Sequence, residues 1–438
     1  MKKTVLTVIC IFTIFNSGIK AETHNLQSFL SLVEQYNRDL ELAEKELDLA
    51  KTRKKEAWGR ALPSVSAQGN YTRNLGRRFL FIDFPDFETG ETTQQKFQIS
   101  YWNEFGFNLG ISQTLFSFDV GQALKAANQY QKLTDYVYDS QYQAVISFAK
   151  TAFYQTLLLK KVWEVVQESE ENARENYEIM KKKYDNGVIS KLQLLQAEVR
   201  WENIKPETIK AKRNYGLALN NLKNFAGIST EEEITLEGNL DAFPSMPEAE
   251  PLERILEQRP DFNALKWEKE LRGTDVKAQT ADYYPELKAN FVLYNLSAIS
   301  DQFKLERKNI TYWIGLSLNI PIWNGGQTAA RVERAKVELE KARIRIEKTK
   351  EAIVTELQNI YLRLEEAKAR IEAGEKNVET AEKAFQIAES SARNGLATQL
   401  ELKDARLLYD QAKVNYYSAI YDYLASYFDW ELASGRVK

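Results

Sequence analysis

The chain repeats itself. Tyr36-Asn37-Arg38-Asp39-Leu40 opens one helical segment, and Gln258-Arg259-Pro260-Asp261-Phe262 opens another. Ala61-Leu62-Pro63-Ser64-Val65 closes the first, and Tyr283-Tyr284-Pro285-Glu286-Leu287 closes the second at the same offset. Leu115-Phe116-Ser117-Phe118-Asp119-Val120-Gly121-Gln122-Ala123 is matched by Pro321-Ile322-Trp323-Asn324-Gly325-Gly326-Gln327-Thr328-Ala329. Asp185-Asn186-Gly187-Val188-Ile189-Ser190-Lys191-Leu192 is matched by Arg393-Asn394-Gly395-Leu396-Ala397-Thr398-Gln399-Leu400. Four landmarks in one order indicate a duplication, so the fold must be assembled from two versions of one supersecondary unit. The reading divides the chain into a signal peptide at 1–21, a first copy at 22–226, a connector at 227–250 and a second copy at 251–438. Gly227, Gly238, Pro244 and Pro247 mark the connector. Its acidic run Glu231-Glu232-Glu233 reads as a solvated surface or the first turn of a short helix.

Each copy reads as a helix, a strand pair, a long helix and a return helix. Helices are expected over 26–58, 119–185 and 190–226, and again over 251–282, 325–393 and 398–433. Each long helix would span roughly 100 Å at ~1.5 Å per residue. The two shorter helices of a copy together run about as long as its long one, so they can stack end to end beside it. Val332, Ala335, Leu339, Ala342, Ile346, Ile353, Leu357, Ile360 and Leu364 recur at three-, four- and seven-residue steps, the pattern of a helix burying a narrow stripe against other helices. Ala123, Ala126, Ala127, Ala329, Ala330 and Ala335 would allow close helix approach. Pro206 predicts a kink in the first return helix.

Four segments switch to strict alternation. Phe105, Phe107, Leu109 and Ile111 alternate with small or polar residues, as do Leu287, Ala289, Phe291 and Leu293. Tyr312, Ile314, Leu316, Leu318 and Ile320 do the same, and Val65, Ala67, Gly69 and Tyr71 do so more weakly. Stretches of ~10 residues that are apolar on one face carry the transmembrane-strand signature. A soluble half-buried sheet is the competing explanation of such alternation. Against it stand the export signal, the length match to a bilayer, and Trp102, Tyr312 and Trp323 placed near strand ends. Four strands cannot enclose a channel, because even the smallest membrane barrels use about eight. Several copies must then share one barrel. The connections 73–103 and 297–309 read as external loops.

Composition narrows the function. Lys2, Lys3 and the apolar run Val5 to Phe15 form an export signal, with a cleavage point near Ala21. Loss of Lys2, Lys3 and Lys20 takes the formal charge from −3 to −6. Cys10 lies inside the apolar run, whereas a lipid-anchor cysteine would follow it. The mature chain would then hold no cysteine and one histidine, His24, so no disulfide, thiolate nucleophile or cysteine–histidine metal site can be built, and no cofactor site is expected. With 59 Lys+Arg against 62 Asp+Glu, no basic excess points to nucleic acid. No phosphate-binding loop and no catalytic pair can be identified. A periplasmic adaptor or structural coiled-coil protein is the remaining alternative, and the four amphipathic strands argue against it.

Through the duplication, the strand pairs, the Asn324-Gly325-Gly326-Gln327 run ahead of a long helix and the two Asn-Gly turns, the chain resembles the TolC-like outer-membrane efflux protein family along its mature length. The resemblance implies an α+β membrane protein with a transmembrane β-barrel shared by a homotrimer, four strands from each subunit. A long periplasmic α-helical barrel would continue that barrel. It implies an outer-membrane duct in a tripartite efflux or type I secretion system, working with an inner-membrane transporter and a periplasmic adaptor (membrane fusion) protein. The Asn-Gly turns would dock the adaptor through Asn186, Gly187, Val188, Asn394, Gly395 and Leu396. Glu401 and Asp404 fall where family members place acidic residues facing the pore constriction, whereas the first copy has Gln193 and Gln196 there. A tyrosine and an arginine that latch the entrance in the best-known member are replaced by Ala392 and Ala397.

Overall fold

The computed structural model describes residues 22–85, 88, 90–299, 302 and 304–437. The expected signal segment, Cys10 included, lies outside the described residues. The elements run β1 (Glu22–His24), α1 (Leu26–Tyr36), α2 (Arg38–Gly59), β2 (Ser64–Arg73), β3 (Phe79–Pro85), β4 (Thr92–Gln98), β5 (Asn103–Phe116), α3 (Phe118–Asp185) and α4 (Lys191–Phe225). They continue with β6 (Ile234–Leu236), α5 (Leu252–Gln258), α6 (Pro260–Ala281), β7 (Glu286–Ile299), β8 (Leu305–Asn319), α7 (Gln327–Arg393) and α8 (Gln399–Ala433). Two compact units result, one from residues 22–45, 137–262 and 349–437, the other from 46–136 and 263–348. Each unit draws on both sequence copies.

In the first unit, long helices bury apolar stripes. Phe29 of α1 faces Phe153 of α3 with ring centroids 5.6 Å apart, and Ile146, Leu222, Ile353, Ile360, Ile420 and Leu424 are fully buried. Truncating a buried side chain of this size to alanine costs about 2–5 kcal/mol. β1 pairs in parallel with β6, Thr23 opposite Thr235 and His24 opposite Leu236, which ties residues 22–24 to the segment between α4 and α5. Two three-residue strands give too short an alternation to stand out in the sequence. Glu231, Glu232 and Glu233 are exposed and lead into β6, not into a helix.

The helices expected over 26–58 and 251–282 are each broken, at Asn37 and Arg259, which are matched positions of the two copies. The break has a local cause. The Asn37 side chain accepts from the N–H groups of Asp39 and Leu40, starting α2, and donates to the carbonyl of Phe225 at the end of α4. Arg259 makes the tie to the return helix, donating to the carbonyl of Ala433 at the end of α8 and forking onto Asp261 at 3.0 and 2.7 Å, while the Asp261 carboxylate accepts from the Phe262 N–H. Each joint closes on a left-handed glycine, Gly227 at φ 69° and Gly435 at φ 71°. A Cβ on Gly227 would lie 2.7 Å from the Tyr36 carbonyl oxygen, and one on Gly435 would lie 2.7 Å from that of Gln258. Burial pushes the Asp261 carboxyl up, but the hydrogen bonds and charge of Arg259 prevail and hold it below the usual range.

α4 runs unbroken through Pro206. Proline removes one hydrogen bond to the carbonyl four residues back, here Glu202. Both residues lie on an exposed part of α4.

In the second unit, β2, β5, β7 and β8 form one antiparallel sheet in that order. The connection 73–103 is not a plain loop, because β3 and β4 pair within it as a separate hairpin. The second connection is shorter than expected, because β7 and β8 extend to Ile299 and Leu305. Tyr312 therefore sits mid-strand, opposite Leu293, and not near a strand end. At the helix end of the sheet, Phe118 stacks between Phe116 and Tyr284, at 5.1 and 4.5 Å, where strand gives way to helix.

Candidate functional site

Directly paired residues share a face of a sheet, so register assigns every side chain. Val65, Ile111, Phe291 and Ile314 form one row across the four strands; Ala67, Leu109, Leu293 and Tyr312 form the next. The opposite face carries Ser66, Gln68, Asn70 and Thr72 from β2, Asn108 and Ser112 from β5, Lys288 and Asn290 from β7, and Thr311 and Ser317 from β8, with Val292, Tyr294, Leu296 and Trp313 among the apolar exceptions. Ser112 and Asn290 hydrogen-bond on that face at 2.9 Å. The apolar face is not covered: Tyr312 is 75 % exposed, Ile314 81 % and Leu316 71 %. A soluble sheet buries its apolar face, so this surface requires an apolar solvent. Ten residues of β2 tilted by roughly 40° rise about 25 Å, the height of the apolar band in membrane barrels. Among the described residues, β2 and β8 have unpaired outer edges.

The two helix turns lie in the first unit. α3 ends in a Schellman motif: Val188 N–H donates to Lys183 O at 2.8 Å, Gly187 N–H donates to Tyr184 O at 2.8 Å, and Gly187 has φ 70°. α7 ends identically, with Leu396 N–H on Ser391 O at 2.8 Å, Gly395 N–H on Ala392 O at 3.2 Å and Gly395 at φ 76°. Asn186 and Asn394 each fold back onto a carbonyl four residues earlier, at 2.9 and 3.0 Å. Val188 and Leu396 are left 69 % and 83 % exposed at the apices. The turns are linked to each other, since Lys183 Nζ donates to the Arg393 carbonyl at 3.0 Å and Asn176 to the Gln399 side chain at 2.7 Å.

Beyond the turns both return helices begin with a capping box. Ser190 and Gln193 exchange hydrogen bonds at the start of α4, as do Thr398 and Glu401 at the start of α8. The Glu401 carboxylate accepts from Thr398 N–H at 2.7 Å, and that bond, then the one to the Thr398 hydroxyl, hold it below the ordinary glutamate range. Glu401 and Gln193 thus do the same local work, and the acid adds a charge to it. Asp404, three residues on, is exposed on the same side of α8, and its charge acts on the Arg200 guanidinium. Ala392 is buried, so the position expected to carry a latch residue is a packing contact.

A buried charge cluster ties α3 to α8 near these turns, and sequence reading missed it. The Arg406 side chain is 1 % exposed. Its Nε lies 2.8 Å from Asp410 Oδ1, within ion-pair range though without hydrogen-bond geometry, and its Nη1 lies 3.4 Å from Glu168. Lys413 also reaches Glu168, at 2.9 Å, and the guanidinium lies 5.1 Å from the Phe385 ring centroid. Burial pushes Glu168 up, but the Lys413 hydrogen bond and the Arg406 charge outweigh it and hold the carboxyl low. In sequence Arg406 and Asp410 are one more opposite-charge pair four residues apart, like many exposed ones, and only packing against α3 buries them.

Comparison with known proteins follows the same outline. The profile of the outer membrane efflux protein family matches residues 29–228 and 252–435. The alkaline protease secretion protein AprF of Pseudomonas aeruginosa is 22 % identical over 60 % of this chain and 55 % of its own length. The probable efflux pump outer membrane protein TtgC of Pseudomonas putida is 21 % identical over 69 % of this chain and 60 % of its own. The chain thus spans under two thirds of the length of these curated relatives. The crystal structure of the Campylobacter jejuni CmeC outer membrane channel superposes with a TM-score of 0.77 at 20 % identity, over 94 % of this chain and 85 % of that one. The fold is that of the solved channel.

Proposed function

This chain belongs to the outer membrane efflux protein family, and from that membership we propose that it is the outer-membrane duct of a tripartite efflux or type I secretion system. It takes substrates from an inner-membrane transporter and passes them across the periplasm and the outer membrane. The observation that carries this reading is the uncovered apolar sheet face backed by a polar one, with both outer edges of the sheet unpaired. An unpaired edge strand recruits another strand, and closure into a barrel removes the edges. Three copies closing edge to edge would place the apolar face in lipid and the polar face around a water-filled lumen, and a homotrimer is the assembly we assign. Exposed Leu192, Leu195, Val199, Leu400 and Leu407 along α4 and α8 are further apolar surface for a neighbouring copy to cover.

The turns at Asn186-Gly187-Val188 and Asn394-Gly395-Leu396 are assigned to docking of a periplasmic adaptor. Exposed apolar apices on rigid, internally bonded turns support that assignment. Glu401 and Asp404 are assigned to a cation-attracting ring at the pore constriction. The test is reconstitution of the purified full chain into planar bilayers, together with fractionation of expressing cells. Discrete channel conductance and recovery with outer membranes are expected. Recovery in the soluble periplasm without conductance would overturn the duct in favour of an adaptor or coiled-coil role.

A further inference from the structure

The apolar sheet face is uncharged except at one end. Among the paired positions of the register, its charged residues are Arg73 at the end of β2 and Lys308 near the start of β8, both at the end that bears the connecting hairpin. From this geometry we infer that this rim binds a multiply phosphorylated glycolipid of the outer leaflet through its phosphate groups. The inference rests on the duct reading, which places this face in the outer membrane.

Three observations carry it. Arg73 does not act alone, because Arg77 from the following turn converges with it on one indole, the two guanidinium carbons lying 5.6 and 4.9 Å from the Trp102 ring. Two like charges over one ring raise the local positive potential, and stacking orients weakly hydrated planar groups whose N–H edges suit phosphate bidentately. Next, the Tyr71 and Phe105 rings pair at 4.9 Å one row inward, giving an aromatic belt at headgroup depth with apolar rows beneath it for acyl chains. Finally, Lys308 stands at the far side of the sheet in the row Tyr71, Phe105, Ser297, Lys308, three strand spacings or about 14 Å from β2. Within one copy, one phosphate cannot reach both cationic positions. A headgroup with several phosphates can, so the surface is matched to a phosphorylated glycolipid and not to a singly charged phospholipid. Glu104, on β5 beside this rim, is on the opposite face, where it accepts from the Tyr101 N–H at 3.0 Å.

The experiment uses the full chain extracted in mild detergent, loaded with diphosphorylated lipid A, dephosphorylated lipid A or phosphatidylglycerol, and weighed intact by native mass spectrometry. Retention of the diphosphorylated lipid is expected to exceed that of the other two by tenfold or more. It should fall by a similar factor in Arg73→Gln/Arg77→Gln/Lys308→Gln and be largely restored in Arg73→Lys/Arg77→Lys. Equal retention of all three lipids, undiminished retention by the glutamine variant, or displacement by millimolar inorganic phosphate would overturn the site. Conductance of the same variants separates the two readings: a conducting glutamine variant that keeps the lipid defeats only this inference. A wild-type chain that neither conducts nor fractionates with outer membranes defeats the duct.

Discussion

Glu401 shows how a local bond and a proposed function compete for one side chain. Its carboxylate closes a capping box, as the Gln193 amide does at the matched position. Glu401→Gln paired with Asp404→Asn should therefore keep α8 as stable as before while lowering the cation preference read from reversal potentials. Glu401→Ala should in addition loosen the first turn of α8, read as faster amide exchange there. Unchanged selectivity in the Gln/Asn variant would remove the ring. The pH dependence follows from the bond: because the folded carboxyl is held below its ordinary 4.5, the cap contributes fully above that value and is lost as pH falls beneath it. Amide exchange at the start of α8 should accelerate there, while the start of α4, capped by an amide, should show no such step. The Ser/Thr-x-x-Glu/Gln spacing was in the sequence; that the acid is spent on the cap was not, because spacing alone does not say where a side chain turns. Arg406 is the harder case. Replacing it by alanine would leave Asp410 and part of Glu168 without their cation, and should lower stability by about 3 kcal/mol in urea melts.

At the scale of elements, the joints at Asn37 and Arg259 answer one geometric need with two chemistries. Each ties the break between two short helices to the last turn of a return helix, and each relies on a glycine where a Cβ would meet a carbonyl. Gly435→Ala combines a left-handed backbone with that collision and should cost about 2–3 kcal/mol, measured as a lowered unfolding midpoint. The breaks were invisible to periodicity, which continues across them, although the landmark that carries them was the first sign of duplication. The strands were legible because alternation has a period of two, and a register of ten paired positions between β2 and β5 keeps it in phase. Leu316→Arg, on the uncovered face four residues from the mid-strand Tyr312, should weaken membrane insertion by less than the ~2–4 kcal/mol of a midplane arginine, read as reduced assembly into outer membranes. Ser317→Arg, one residue on and facing the other way, should be tolerated.

At the scale of the whole molecule, a four-stranded sheet with two unpaired edges is unfinished, and its completion can be caught chemically. The chain's one cysteine, Cys10, lies in the expected signal segment. Pairs of cysteines, one at Ser66, Gln68 or Asn70 on β2 and one at Thr311, Trp313 or Gly315 on β8, should at one register oxidise to a covalent trimer on a denaturing gel. Monomer alone at every register, or ladders beyond three, would exclude the closed ring. The sequence by itself determined the duplication, the long helices and their return helices, the alternation of the strands and the glycine turns. Each of these is a one-dimensional signal: a repeat, a period, or a residue that alone tolerates a backbone angle. Only the tertiary structure decided that β5 pairs with β7, that the connecting segment folds as its own hairpin, that Arg406 is buried, and that the charges of the apolar face gather at one rim. Those facts depend on which distant residues meet, and no local pattern encodes a meeting between segments nearly two hundred positions apart.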